Sequence, residues 1–143
     1  MSSSAADDRR TEFDVDDCHR LIASQHIGRL VIGDTVPNVR PVNYIAYERH
    51  IYFRTERPLL PDARVAFEVD QIDSAHRQGW SVVAIGNAHA LSIDSIPDEI
   101  ATRLEPWAEG DKPCWSVIRV ESITGLMVKA PETPEVPDHR GYL

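Results

Sequence analysis

The chain has few cysteines and no long apolar run. Its two cysteines, Cys18 and Cys114, are far apart among 143 residues and form no Cys-x-x-Cys pair. We therefore expect two small buried side chains rather than a disulfide or a metal site. No stretch approaches the roughly 18 apolar residues of a membrane helix, and the polar N-terminus lacks the apolar centre of a signal peptide. These absences predict a cytoplasmic protein with no membrane partner.

A basic surface is also missing. The 15 basic residues are scattered among 23 acidic ones, which gives a net charge of -8. Nucleic-acid binding depends on a basic stripe that neutralises phosphates, so we expect no nucleic-acid partner. A small anionic ligand is still compatible with this composition, because a local group of arginines can hold a phosphate in an acidic protein.

The familiar motifs of metal-dependent and nucleophilic enzymes are absent from the chain. The six histidines form no HxH, HxxxH or HExxH arrangement, and no cysteine pair accompanies them. No Gly-x-Ser-x-Gly, Gly-x-Gly-x-x-Gly or Walker pattern is present either. We therefore predict no metal site and name no catalytic residue, although a single histidine could still ligate a haem.

Short β-type runs behind one helix make up most of the chain. Residues 1–12 predict a disordered lead. Apolar residues at helical spacing, with acidic residues in the first turn, then predict a helix over 14–24. A second helix is expected from Pro97. Strand patterns occur at 28–34, 39–47, 51–55, 64–70 and 79–93, and as two consecutive runs around Ser122.

These elements predict one domain over residues 13–129, followed by a Pro-rich, extended tail over 130–143. Six or seven consecutive strands joined by short turns favour a mainly β fold, an antiparallel sheet closed into a barrel with about two flanking helices. The longest strand is expected to bend near Gly86.

A group of arginines lies on and after the second and third strands: Arg40, Arg54, Arg57 and Arg64. A cation within a strand is costly unless it faces solvent or an anion. One interpretation is a phosphate held by arginine and by the hydroxyl of Thr55. The other is ordinary ion pairing with nearby acids: Glu48, Glu56 or Asp62.

Trp80 and Ser81 open the longest strand. A tryptophan has an apolar face and one N–H donor, so it suits the wall of a planar ligand site. Packing in the core is the commoner role. Both interpretations stay open on the residues alone.

Several segments stand in the order found in a known family: DDCHRLIASQHIGRLVI, PVNYIAY, IYFRT, VAFEVDQID, GWSVVAIGNA, PWAEG and ITG. Over residues 13–128 they resemble the pyridoxamine 5'-phosphate oxidase-like family. The resemblance implies a split β-barrel that forms a homodimer, with FMN or a deazaflavin bound at the subunit interface. It also implies a set of cofactor-binding residues: Arg40, Pro41, Val42, Asn43, Arg54, Thr55, Arg57, Trp80 and Ser81.

Within that set, the resemblance assigns the phosphate to Arg40, Arg54 and Thr55, and the ring to Pro41, Val42 and Asn43. Ser81 would correspond to the family's polar residue at the start of the long strand, and Trp80 would lie at the wall of the site. The implied function is that of an oxidoreductase whose flavin performs the chemistry on a small-molecule substrate. The alternative is a non-catalytic flavin, deazaflavin or haem carrier.

The chain departs from this family at one turn. Relatives follow the strand-end threonine with a turn that carries a lysine for the phosphate. Here residues 56–63 read ERPLLPDA, with two prolines and no lysine. Arg57 or Arg64 is expected to take the place of that lysine if the phosphate site is kept; the alternatives are a deazaflavin, another ligand or an empty site.

Overall fold

The computed structural model describes residues 10–33, 35–104 and 112–130. They form seven strands, two helices and a 3-10 turn at Ile93–Ser95. The elements in chain order are β1 (Arg10–Glu12), α1 (Val15–Ala23), β2 (Ile27–Ile32), β3 (Asn38–Tyr47), β4 (His50–Thr55), β5 (Ala63–Asp73), β6 (Gln78–Leu91), α2 (Asp98–Ala101) and β7 (Cys114–Lys129).

Six of the strands close into an antiparallel barrel. Their order is β7-β4-β3-β2-β5-β6, and β6 pairs again with β7 to complete the ring. The short β1 pairs with the Leu126–Val128 end of β7, outside the ring. The predicted mainly β, antiparallel barrel with two helices is confirmed.

Strand β7 is longer than the sequence pattern predicted. The two expected runs around Ser122 form one strand, whose first part pairs with β4 and β6 and whose last part pairs with β1 and β6. The register shifts between Ile85 and Gly86, which face Ser122 and Val120. The extra residue, Glu121, makes a β-bulge in β7, opposite the position where β6 was expected to bend.

Apolar side chains alternate into the barrel interior. On β5, Val65, Phe67 and Val69 are buried while the residues between them face outward, as a half-buried strand requires. Tyr44 meets Phe67 edge to face, with ring centroids 5.0 Å apart. The main buried set also includes Ile22, Leu30, Ile51, Phe53, Val82 and Ile118.

Helix α1 packs on this core. Its N-cap is Asp14, whose carboxylate accepts from the Asp17 backbone N–H at 2.7 Å, and its buried face includes Cys18. The expected helix over 14–24 and the expected burial of Cys18 are confirmed. Neither helix of the described chain has the length and apolar character that a membrane crossing needs.

The ends of the domain differ slightly from the predicted ones. Residues 10–12, placed in the disordered lead, form β1 and pair with β7 outside the ring. The remainder of the lead, residues 1–9, lies outside the described residues. The predicted tail is described only at Ala130, whose N–H donates to the Arg77 carbonyl oxygen at 2.9 Å.

Candidate functional site

A cleft of about 240 Å³ opens where β3 and β4 part. Their register runs from Tyr47 opposite His50 to Tyr44 opposite Phe53, and the cleft lies beyond that last pair. It is lined by Arg40, Pro41, Val42, Asn43, Arg54, Thr55, Glu56 and Lys112. The structure thus gathers six of the nine predicted cofactor-binding residues around one opening.

The local sequence explains why the strands separate here. Proline has no backbone N–H to give to a ladder and is confined in sheets to edges and irregular positions. Pro41 lies on β3 opposite Arg29 of β2, past the last β3–β4 pair. Backbone and side-chain groups of both strands therefore face the opening instead of each other.

Arg54 crosses from β4 to the segment that leads into β7. Its Nε donates to the Lys112 carbonyl oxygen at 2.8 Å and its Nη1 to the Leu104 carbonyl oxygen at 3.2 Å. Its guanidinium carbon is 5.0 Å from the ring centroid of Trp115, within cation–π range. These contacts make Arg54 a brace that positions Lys112 at the cleft.

Thr55 ends β4 with its side chain turned inward. It is 4% exposed, and its hydroxyl donates to the Arg57 carbonyl oxygen at 2.6 Å. The hydroxyl proton is used in this hydrogen bond, which stabilises the turn after β4. Only the lone pairs of the oxygen are left for a further hydrogen bond, and a phosphate oxygen cannot donate to them unless it is protonated.

An ion pair that the sequence analysis missed lies across the cleft. Lys112 Nζ donates to Glu56 Oε1 at 2.8 Å. The Lys112 side chain is 19% exposed, whereas that of Glu56 is 65% exposed. The hydrogen bond and charge of Lys112, with smaller contributions from Arg57 and Arg40, hold the pKa of Glu56 below its ordinary value.

Lys112 escaped notice because it is 56 residues from Glu56 in the chain. Pairing of Thr55 with Cys114 is what carries it to the cleft. Two signals in the sequence could have pointed to it. It is one of only two lysines in the chain, and it lies two residues before a strand that pairs with β4.

The two arginines expected to replace the missing lysine do not line the cleft. Arg57 is exposed, close enough to Glu56 to lower the pKa of that carboxyl but outside the lining. Arg64 lies on another wall, where it pairs with Glu121 and donates to Asn87 Oδ1 at 2.8 Å. The expectation that Arg64 substitutes is therefore corrected: its side chain is committed to the β5–β6–β7 surface.

Trp80 and Ser81 lie around a different cavity, of about 360 Å³, that also contacts Ile72, Leu126 and Val128. The Trp80 ring packs against the main core, and its Nε1 donates to Gln71 Oε1 at 3.3 Å. Within one chain the structure does not bring Trp80 or Ser81 to the cleft.

A six-stranded antiparallel barrel whose strands β3 and β4 part at a cleft is a split β-barrel. The family model described as pyridoxamine 5'-phosphate oxidase matches residues 14–127. The chain belongs to this family.

Relatives agree with that assignment. Uncharacterized protein Rv0080 of Mycobacterium tuberculosis is 31% identical over 130 residues, which span 83% of this chain and 86% of the relative. A Corynebacterium glutamicum structure named for the same family matches with TM-score 0.70 and 27% identity, over 87% of this chain and 97% of that one. The FAD-binding protein of Mycobacterium smegmatis matches with TM-score 0.69 and 27% identity, over 84% and 99%.

Proposed function

We propose that this protein binds a flavin nucleotide in the cleft and acts as a flavin-dependent oxidoreductase on a small molecule. The observation that carries the proposal is the lining of the cleft, which joins cations from three separate segments beside the apolar and amide groups of β3. The likeness to the M. smegmatis FAD-binding protein supports the choice of a flavin over other anionic ligands.

The residues present fit such a ligand. Arg40 and Lys112 supply positive charge for a phosphate, and Arg54 keeps N–H donors beyond the two that its carbonyl contacts use. Pro41 and Val42 offer apolar contact for a planar ring. Asn43 borders the same opening with an amide, which suits the polar edge of a flavin.

A bound flavin would supply the electron or hydride transfer, while the protein supplies binding, orientation and electrostatics. Among the residues that the structure describes, the side chains at the cleft have no arrangement of nucleophile and base. We therefore assign them to holding the phosphate and orienting the ring, and we assign no general acid or base.

We further propose that two copies of the chain form the complete site. The cleft is smaller than the roughly 300–1,000 Å³ of typical ligand pockets, so one copy would cover only part of a flavin. The outer wall of the barrel carries an apolar row across four strands, in which paired residues face the same side: Val39, Val31, Ala66 and Ile85. Val39 is 61% exposed, and a second copy packed on this row would bury it.

In such a homodimer the second copy also supplies the missing wall of the site. The family resemblance assigns Trp80 to that wall and Ser81 to the polar position beside it, and both lie away from the cleft of their own chain. A contribution from the partner would reconcile that assignment with their position around the other cavity.

The test is an absorbance spectrum of the purified protein, followed by titration with FMN, FAD and a deazaflavin while the melting temperature is recorded. A ligand that binds only the native state raises the melting temperature, so saturable binding with such a rise is the expected result. Sedimentation should give the mass of a dimer. A Soret band with no flavin binding would replace the proposal with a haem carrier, and flavin binding without reduction by any nicotinamide donor would favour a flavin carrier.

A further inference from the structure

Lysine is scarce in this protein, and the position of one lysine is informative. The chain has Lys112 at the cleft and Lys129 at the far end of β7. Their surroundings differ. Lys129 borders the cavity near Trp80 and is exposed, whereas the Lys112 side chain is largely buried at 19% exposure.

Lys112 is held at both of its ends. Its carbonyl oxygen accepts from Arg54 Nε at 2.8 Å, and its ammonium donates to Glu56 Oε1 at 2.8 Å. Arg54 in turn is fixed by Leu104 and by the face of Trp115. These contacts hold the Lys112 backbone and direct its ammonium into the cleft.

Glu56 is the more exposed partner in its ion pair with Lys112. Its side chain is 65% exposed, so its carboxylate can rotate into water at little cost once another anion pairs with Lys112. Its backbone stays in place, because its carbonyl oxygen accepts from Cys114 Sγ at 3.7 Å and the next carbonyl accepts from Thr55. A fixed, buried cation thus faces a movable, exposed anion.

Building on the proposed function, we propose that Lys112 is the cation that completes the phosphate end of the cleft, and that Glu56 is an internal counter-ion which the phosphate displaces. Lys112 reaches the cleft from the segment before β7, not from the turn after β4. Arg54 is then a positioning residue that acts through Lys112.

The physical argument is one of charge balance. A buried ammonium without a partner is costly, so the cleft needs an anion at all times. Glu56 meets that need when no ligand is bound, while Arg40 and Arg57 add positive charge around the same carboxylate. A phosphate brings more negative charge and several acceptor oxygens, so it competes well for Lys112 and repels Glu56.

The experiment compares FMN with riboflavin, which has the same ring and no phosphate. We expect Lys112→Met to weaken FMN binding at least tenfold and to leave riboflavin binding unchanged. Lys112→Arg should restore much of the FMN affinity. Glu56→Gln should strengthen FMN binding several-fold, again without an effect on riboflavin, because the competing charge is gone. Fluorescence titration measures all of these affinities.

Arg20→Met is the control, since it removes an exposed cation of α1 that borders neither the cleft nor the cavity near Trp80 and should change neither affinity. Melting temperatures confirm that each variant is folded. Two results would overturn the proposal: equal losses of FMN and riboflavin binding in Lys112→Met, or unchanged or weaker FMN binding in Glu56→Gln.

A second readout separates this proposal from the proposed function. If the native protein binds neither FMN nor riboflavin, the flavin proposal fails, but inorganic phosphate still tests Lys112. Amine-reactive labelling with mass spectrometry should then show that phosphate protects Lys112 and not Lys129. No protection at Lys112 would overturn the proposal for phosphate as well.

Discussion

The two sides of the barrel are built differently. On the closed wall, formed by β5, β6 and β7, the strands pair without interruption along β5 and with one bulge along β7. On the split side, β3 and β4 pair over only four residues each. The comparison teaches that long ladders hold the domain together, whereas the place where a ladder ends exposes side chains for binding.

The pKa values of two glutamates, Glu68 on the closed wall and Glu56 on the split side, are shifted in opposite directions. Glu68 faces outward from β5, where burial and the neighbouring Asp70 raise its pKa to about 7 against the opposing effect of Arg29. Arg29 Nη1 lies 3.2 Å from Glu68 and 3.3 Å from Asp70. Glu56 on the split side has a lowered pKa because Lys112 is its partner. The closed wall therefore holds a carboxyl group whose charged form is disfavoured, whereas the carboxyl group at the cleft is stabilised in its charged form.

The largest expected effect is on the closed wall. A Cβ at Gly86 would lie 2.0 Å from the Arg119 carbonyl oxygen, a backbone atom that cannot move alone. We expect Gly86→Ala to lower the free energy of unfolding by about 3 kcal/mol, the upper part of the range for overpacking. Urea denaturation measures the change.

Ala90→Gly, at an exposed position of the same strand, is its control and should cost only about 0.5–1 kcal/mol. Equal losses in the two variants would show that the bulge is no tighter than the rest of the strand. The closed wall would then not be the rigid side of the barrel.

On the split side we expect substitution of Arg54 to lower both stability and FMN affinity, and substitution of Arg40 to lower only FMN affinity. Arg54→Ala should lower the free energy of unfolding by about 1.5–3 kcal/mol, because two charged hydrogen bonds to carbonyls are lost. It should also weaken FMN binding. Arg40 is exposed, so Arg40→Ala should change stability by less than about 0.5 kcal/mol yet weaken FMN binding about tenfold.

Denaturation and fluorescence titration of both arginine variants decide the matter. If Arg54→Ala leaves stability unchanged, Arg54 is not a brace. If Arg40→Ala leaves FMN affinity unchanged, the phosphate lies elsewhere.

The smallest effect concerns pH. Because the folded protein raises the pKa of Glu68 to about 7, the folded state binds its proton more tightly than the unfolded state does. Stability from this group is therefore lost as pH rises from about 4.5 to about 7. Glu68→Gln should melt a few degrees above the native protein at pH 8 and at nearly the same temperature at pH 4.5.

Glu121→Gln changes an exposed glutamate that is paired with Arg64. Its melting temperature should follow that of the native protein at every pH. A constant difference between Glu68→Gln and the native protein across this range would mean that Glu68 has no unusual proton affinity.

Much of the fold could be predicted because it depends on local patterns. The strand pattern over 64–70 and the helical spacing over 14–24 both depend on neighbouring residues, and the structure has β5 and α1 there. The extent of β7 could not be predicted, because a bulge absorbs the irregularity that made its pattern look like two strands.

The candidate site was predictable only along β3 and β4. The segments around Arg40 and Arg54 are close in the chain, so adjacent strands bring them together. Whether any of these residues binds a cofactor stays a prediction until the titrations are made. The expectation for Arg64 was wrong, because sequence proximity to Thr55 does not reveal that β5 carries its side chain to Glu121.

The sequence by itself determined the strand pattern, the helix start and the family, since each depends on neighbouring residues or on the order of segments. Only the tertiary structure decided that Lys112 meets Glu56 and that Trp80 lies away from Arg40. The physical reason is register. Which side chains meet across a barrel depends on how strands distant in the chain align, and no local pattern encodes that alignment.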